Sequence, residues 1–245
     1  MPGDTGMRKR RGSGVVPKAI TWDWDTSDSS TLGRIAEAGV VGTVACWLIA
    51  MLAGVVKPDY NPVSDSISGL MIGPRAWLMN LDAVVFGALM LGLALVLVAR
   101  LGRTFLSTIG LALFTLWGLG LIAAGVFPTD PATVTRQTLH SSIHDASFVT
   151  LTLGLALSCC VLAPCFRSET RWCGFSARST VAGGAILLLL GLFLYKGDGW
   201  QWRGLEERIM FTVMCAWVEM LALRLQHLTV AKESGQVVTS ALPGT

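Results

Sequence analysis

Six apolar blocks, several of which run for about 17 to 26 residues without a charge, alternate with short polar segments along the chain, and about 20 apolar residues suffice for a helix to cross a bilayer. The blocks predict membrane helices over roughly Ile35–Val56, Trp77–Ala99, Thr104–Phe127, Leu139–Leu162, Ser179–Tyr195 and Leu205–Leu225. The expected fold is all-α, a polytopic membrane bundle of about six transmembrane helices. Residues 1–33 and 228–245 lack apolar periodicity and are expected to form a flexible head and tail around the domain at 34–227. The head carries Arg8-Lys9-Arg10-Arg11 and is too long and too polar for a secretory signal peptide, so the first span is expected to be retained. Small residues recur at packing distance, as in Gly39-x3-Thr43 and Gly120-x3-Ala124, where helices can approach closely in lipid.

Composition agrees with this pattern: of the 245 residues 52% are hydrophobic and 14% charged, against roughly 25% charged in soluble domains. Nucleic acid is therefore not an expected partner, and the lipid bilayer is. Thirteen of the 19 Lys and Arg residues fall on one side of the six spans. The positive-inside rule makes that side cytoplasmic, with both termini inside and the loops near 59–75, 128–138 and 196–204 facing out. The six cysteines imply no disulfide framework, and Cys165 and Cys173 do not have a zinc spacing.

The polar residues gather at the outward end. The first outer loop reads Asp59-Tyr60-Asn61-Pro62-Val63-Ser64-Asp65-Ser66-Ile67-Ser68, with Asn80 and Asp82 in the first turns of the second helix. The second loop supplies Asp130, with His140 and His144-Asp145 opening the fourth helix; the third leads to Glu206-Glu207-Arg208. Polar groups are costly in lipid, so such a concentration marks a structural network or a site. Asp82 lies inside an apolar run and must face the bundle interior. There it is either a desolvated acid able to hold a proton at neutral pH or a structural carboxylate paired with Arg75, Arg136 or Arg208. His140 and His144 stand one helical turn apart, close enough to share a ligand. Two histidines and surrounding carboxylates fit a zinc site only if a carboxylate supplies the third ligand. The expectation is no cofactor, with zinc the disfavoured alternative.

The segments Asn61-Pro62-x2-Asp65-x-Ile67-Ser68-x-Leu70, Trp77-x-Met79-Asn80, Gly125-Val126-Phe127-Pro128-Thr129-Asp130-Pro131, His140 and Gly204-Leu205-x-Glu207-Arg208 together resemble a six-helix membrane family, domain of unknown function 998. The resemblance covers about residues 34–225. It implies a six-helix bundle and singles out Asp65, Ser68, Asn80, Asp130, His140, Glu207 and Arg208 as a shared polar set. The H-x3-H element is also similar to one in the membrane hydrolases that include alkaline ceramidases and adiponectin receptors. Those proteins use seven helices and three histidines, and this chain departs on both counts.

From these residues the chain is expected to hold a lipid or isoprenoid-like molecule in an outward-facing pocket. Asp130 and His140 would act as acid and base, Asp65 and Asp82 would orient or protonate, and Arg208 would hold an anionic head group. Glu207, Asn80, Ser68 and His144 complete the expected binding set. Lipid hydrolysis and prenyl cyclisation are the competing reactions, and a non-catalytic accessory or sensor with a structural polar cluster is the alternative. Asp65, Asp130, His140 and Arg208 are expected to approach one another.

Overall fold

A computed structural model describes the backbone of residues 29–131, 134–197 and 199–240, and the side chains of 30–229 within those ranges. Six long helices make up the bundle: α1 (Ser29–Leu52), α2 (Ala76–Arg100), α3 (Phe105–Val126), α4 (Leu139–Arg167), α5 (Phe175–Lys196) and α6 (Arg203–Ser240). All six are long and apolar enough to cross a membrane. The protein is a multi-pass membrane protein. Each helix packs on the next in sequence and α6 returns to α1, so the six close into a ring of alternating direction. Gly33, near the start of α1, meets Thr229 of α6. The end of α1 and the starts of α2, α4 and α6 therefore share the opposite end of the bundle, called the far end below.

Lipid tails are as apolar as leucine, so packing and hydrogen bonds, rather than water exclusion, hold such helices together. The ring is filled by aromatic side chains. Phe86, Phe114, Trp117 and Trp217 are fully buried, and the Phe86 and Trp117 rings meet edge-on at 5.6 Å. Trp217 donates its indole N–H to the Ser179 hydroxyl at 3.0 Å, and Ser158 donates to the Gly110 carbonyl at 2.8 Å. Large apolar side chains point outward instead: Phe105 is 80% exposed and Leu188 74%, the surface that lipid would cover. At Gly120 a Cβ would stand 2.6 Å from the Cβ of Leu151, so α3 and α4 approach as closely as they do only because that position has no side chain.

Three helix boundaries differ from the hydropathy reading. α4 continues through Pro164 to Arg167, because a proline in the final turn removes one backbone donor without breaking the helix. α5 begins at Phe175, ahead of Arg178; the Phe175 ring packs on Phe166 at 4.9 Å and on Trp172 at 5.6 Å, which anchors a turn the charge count would exclude. α6 keeps helical backbone to Ser240, where the sequence reads an aperiodic tail from 228. The stretch has one glycine, Gly235, and no proline before Pro243, so nothing in it stops a helix already nucleated by packing. The head up to residue 28 and residues 241–245 lie outside the described residues.

Candidate functional site at the far end

The first far-end loop is fastened to α6 by two adjacent side chains. Arg208 is 8% exposed. Its Nη1 donates to the carbonyls of Pro62 at 2.7 Å, Asp65 at 3.0 Å and Gly204 at 2.9 Å, and its Nη2 donates to the Tyr60 hydroxyl. A guanidinium suits this task because its planar fork presents several fixed donors at once. Glu207 Oε2 accepts the Ile67 N–H at 2.8 Å and the carboxylate also takes the Ser68 N–H. It thereby satisfies the exposed donors that open the 3-10 turn Ile67–Met71. Lys57 closes the other end, donating to Gly69 O at 2.5 Å and Ile72 O at 3.0 Å.

Gly204 makes the contact possible. A Cβ there would lie 2.2 Å from the Asp65 carbonyl oxygen and 2.8 Å from that of Pro62, both backbone atoms that cannot yield. The Leu205 N–H donates to Val63 O at 2.9 Å. Tyr60 donates its hydroxyl to the Ser66 carbonyl at 2.8 Å. Burial pushes its phenol up from the ordinary value, although Arg208 pulls the other way, so the proton it donates is retained. Asp65 turns inward on its own loop, accepting from the Asn61 N–H at 2.9 Å and the Ser64 hydroxyl at 3.0 Å.

The second loop has its own network. Asp130 Oδ2 accepts the Thr138 N–H at 2.7 Å and Oδ1 the Thr138 hydroxyl at 2.8 Å. Thr138 in turn caps α4 through the Ser141 N–H. His140 is exposed, with its ring 5.4 Å from that of Phe127. Gln137 donates to Asp145 at 2.6 Å. Of the four residues expected to converge, Asp65 and Arg208 meet, through the Asp65 backbone. No hydrogen bond joins that pair to Asp130 or His140 among the described residues, because each loop satisfies its own carboxylate.

Between the loops and the helix ends lies a cavity of about 100 Å³. Its walls are mostly apolar, with Phe86, Phe148 and Phe211 among them, and its polar members are Ser68, Asp82, His144, Thr152 and Glu207. Asp82, 8% exposed, faces the Cys46 thiol of α1, and no ion pair joins it to an arginine among the described residues. His144, 4% exposed, has Nδ1 at 3.1 Å from Ala124 O and 3.0 Å from Phe127 O. Carbonyls only accept, so Nδ1 carries the proton, and in the neutral ring Nε2 presents a lone pair. Nε2 has no partner among the described residues. Thr152 is fully buried and its hydroxyl also lacks a partner. Ser68 bonds the Ser66 hydroxyl at 2.8 Å.

Asn80 and Glu206 stand outside the cavity lining. Asn80 Oδ1 is buried without a partner, and so are both oxygens of Glu206 among the described residues. The two histidines expected to act as a pair thus differ: one lies at the surface and the other beneath it. Among the described residues no group of three or more His, Cys, Asp or Glu side chains gathers as a metal would require. Sequence reasoning missed Tyr60, Cys46 and Thr152. The signal that could have found Tyr60, one of two tyrosines, is its place as an aromatic between Pro58 and Pro62; Cys46 and Thr152 sit in apolar runs that give no signal.

The fold and this end-on cluster define a six-helix integral membrane protein with a small polar-tipped cavity at one end. The chain belongs to the family described as protein of unknown function DUF998, whose model matches residues 40–224. No curated protein and no solved structure matches it, so the likeness to the ceramidase and adiponectin-receptor group rests on two histidines alone.

Proposed function

We propose that the protein binds a lipid or isoprenoid-like molecule with its polar end in the far-end cavity, where Asp82 and His144 act on it as acid and base. The observation that carries this reading is His144, a buried imidazole whose Nδ1 is committed to two backbone carbonyls and whose Nε2 is left for something else. Asp82 supports it, since a buried carboxyl in an otherwise mostly apolar wall, with no ion pair among the described residues, can exchange a proton with a ligand. The reading moves the chemistry from Asp130 and His140, which are engaged in capping and packing, to Asp82 and His144. It also assigns the far end to the external leaflet, on the charge count.

Size separates the two candidate reactions. A cavity of about 100 Å³ is smaller than the ~150 Å³ that accommodates benzene, so a prenyl chain cannot fold inside it for cyclisation. Chemistry at a head group fits better. The second reading, a non-catalytic accessory protein, is favoured by one observation: Glu207, Gly204 and both Nη atoms of Arg208 serve a loop clamp that needs no ligand.

Native mass spectrometry of the protein released from nanodiscs tests the proposal. Wild type is expected to retain one lipid mass class that Asp82→Asn and His144→Ala, still folded by circular dichroism, do not retain. Identical lipid profiles for all three would favour the accessory reading.

A further inference from the structure

Building on the ligand-binding reading of the cavity, we infer that the ligand's polar end is a hydrogen-bond donor without negative charge, an alcohol or an amine, and that phosphorylated and carboxylated lipids are excluded. The inference rests on the inventory of cavity atoms. No lysine or arginine lines the space. Arg208 lies outside the lining, with both Nη atoms on carbonyls and Tyr60 and only its Nε without a partner among the described residues, and Lys57 donates to two further carbonyls. A phosphate or carboxylate entering here would lose its hydration with no cation to replace it, a cost of several kcal/mol per ion. Neutral carboxyls would not remove that cost, because they compensate no charge.

The acceptors, by contrast, are in surplus. Asp82 offers a carboxyl that lines the cavity and makes no ion pair among the described residues. His144 offers Nε2, which can only accept while Nδ1 holds the proton, whereas the fully buried, unpartnered Thr152 hydroxyl can donate or accept and does not discriminate. Glu207 is not among the free acceptors, since its carboxylate already takes the Ile67 and Ser68 N–H groups. A buried polar group left unpaired costs about 1–3 kcal/mol, so a donor head recovers stability that an acceptor-only head does not. The apolar walls then take the carbons next to the head, and the remainder of the chain lies outside the cavity.

The test is a set of ligands with one chain and different heads: farnesol, farnesylamine, farnesyl phosphate and the headless hydrocarbon farnesene. Each is titrated into protein in zwitterionic-lipid nanodiscs, with thermal stabilisation as readout. Farnesol or farnesylamine is expected to bind at least about tenfold tighter than farnesyl phosphate and farnesene, and Asp82→Asn to remove that preference while the variant still melts cooperatively. Farnesyl phosphate binding as tightly as farnesol, with both lost in Asp82→Asn, would overturn the head-group inference and leave the cavity reading standing. Farnesene matching farnesol would overturn it as well, since the head would contribute nothing. No stabilisation by any of the four would overturn the inference and the cavity reading together.

Discussion

Replacing Arg208 by methionine keeps the length and apolar stem of the side chain and removes every donor. The Pro62 and Asp65 carbonyls and the Tyr60 hydroxyl, all on the far-end loop, then lose the group that binds them to α6. Hydrogen bonds to a charged partner contribute about 1.5–3 kcal/mol each. The loop is only partly buried and water replaces some of them, so the lower part of that range applies and the total is about 3–5 kcal/mol. Arg208→Lys retains the charge, but an ammonium is a point donor that cannot span the three carbonyls; about half the loss is expected. Unfolding in mixed micelles gives the global figure, and proteinase K cleavage between residues 58 and 66 reports local release of the loop. Cleavage should rise together with the loss of stability. Arg208→Met unfolding within about 1 kcal/mol of wild type, with the loop still protected, would refute the clamp.

Four other outcomes follow from the same contacts. Gly204→Ala should release the same loop, since its Cβ would meet two backbone carbonyl oxygens, and overpacking of this kind costs about 1–3 kcal/mol; unchanged proteolysis would contradict the close approach. Asp82→Asn should leave thermal stability within about 1 kcal/mol while abolishing ligand retention; a large loss of stability with retention intact would mark Asp82 as structural. At the near end, burial works to raise the Glu169 carboxyl, but the Arg171 guanidinium and the Gly102 N–H outweigh it and hold it below its ordinary 4.5. Its contribution is therefore present at neutral pH and is lost as pH falls below that value, so the melting difference between wild type and Glu169→Gln should narrow in acid; a constant difference would count against it. Reporter fusions after Gly102 and Ser168 should read inside and those at Ser64 and Gly199 outside, and the reverse pattern would invert the proposed orientation.

The six spans were legible because a bilayer imposes length and hydrophobicity on each helix separately. Helix ends were less so, since Phe175 and the stretch to Ser240 are helical through packing and continuation rather than through apolar content. Glu207 and Arg208 stood out as costly residues, and they are buried, but apart from the Tyr60 hydroxyl their partners are backbone carbonyls and amides, which every sequence has and none advertises. Spacing could not separate His140 from His144. Only the depth of each turn beneath the loops leaves one on the surface and the other against the Ala124 and Phe127 carbonyls. Asp82 was visible as a charge within an apolar run, whereas its neighbours Cys46 and Thr152 match the composition of any membrane helix.

The most direct test of the central claim, that the far-end cavity acts on a lipid through Asp82 and His144, is the lipid composition of a deletion strain. One lipid class with an alcohol or amine head should accumulate or disappear. Wild-type protein should restore the profile, and Asp82→Asn, expressed to the same level, should not. A lipid profile unchanged by the deletion, or restored equally by Asp82→Asn, would contradict the claim and leave the far-end cluster as the fastening of a loop.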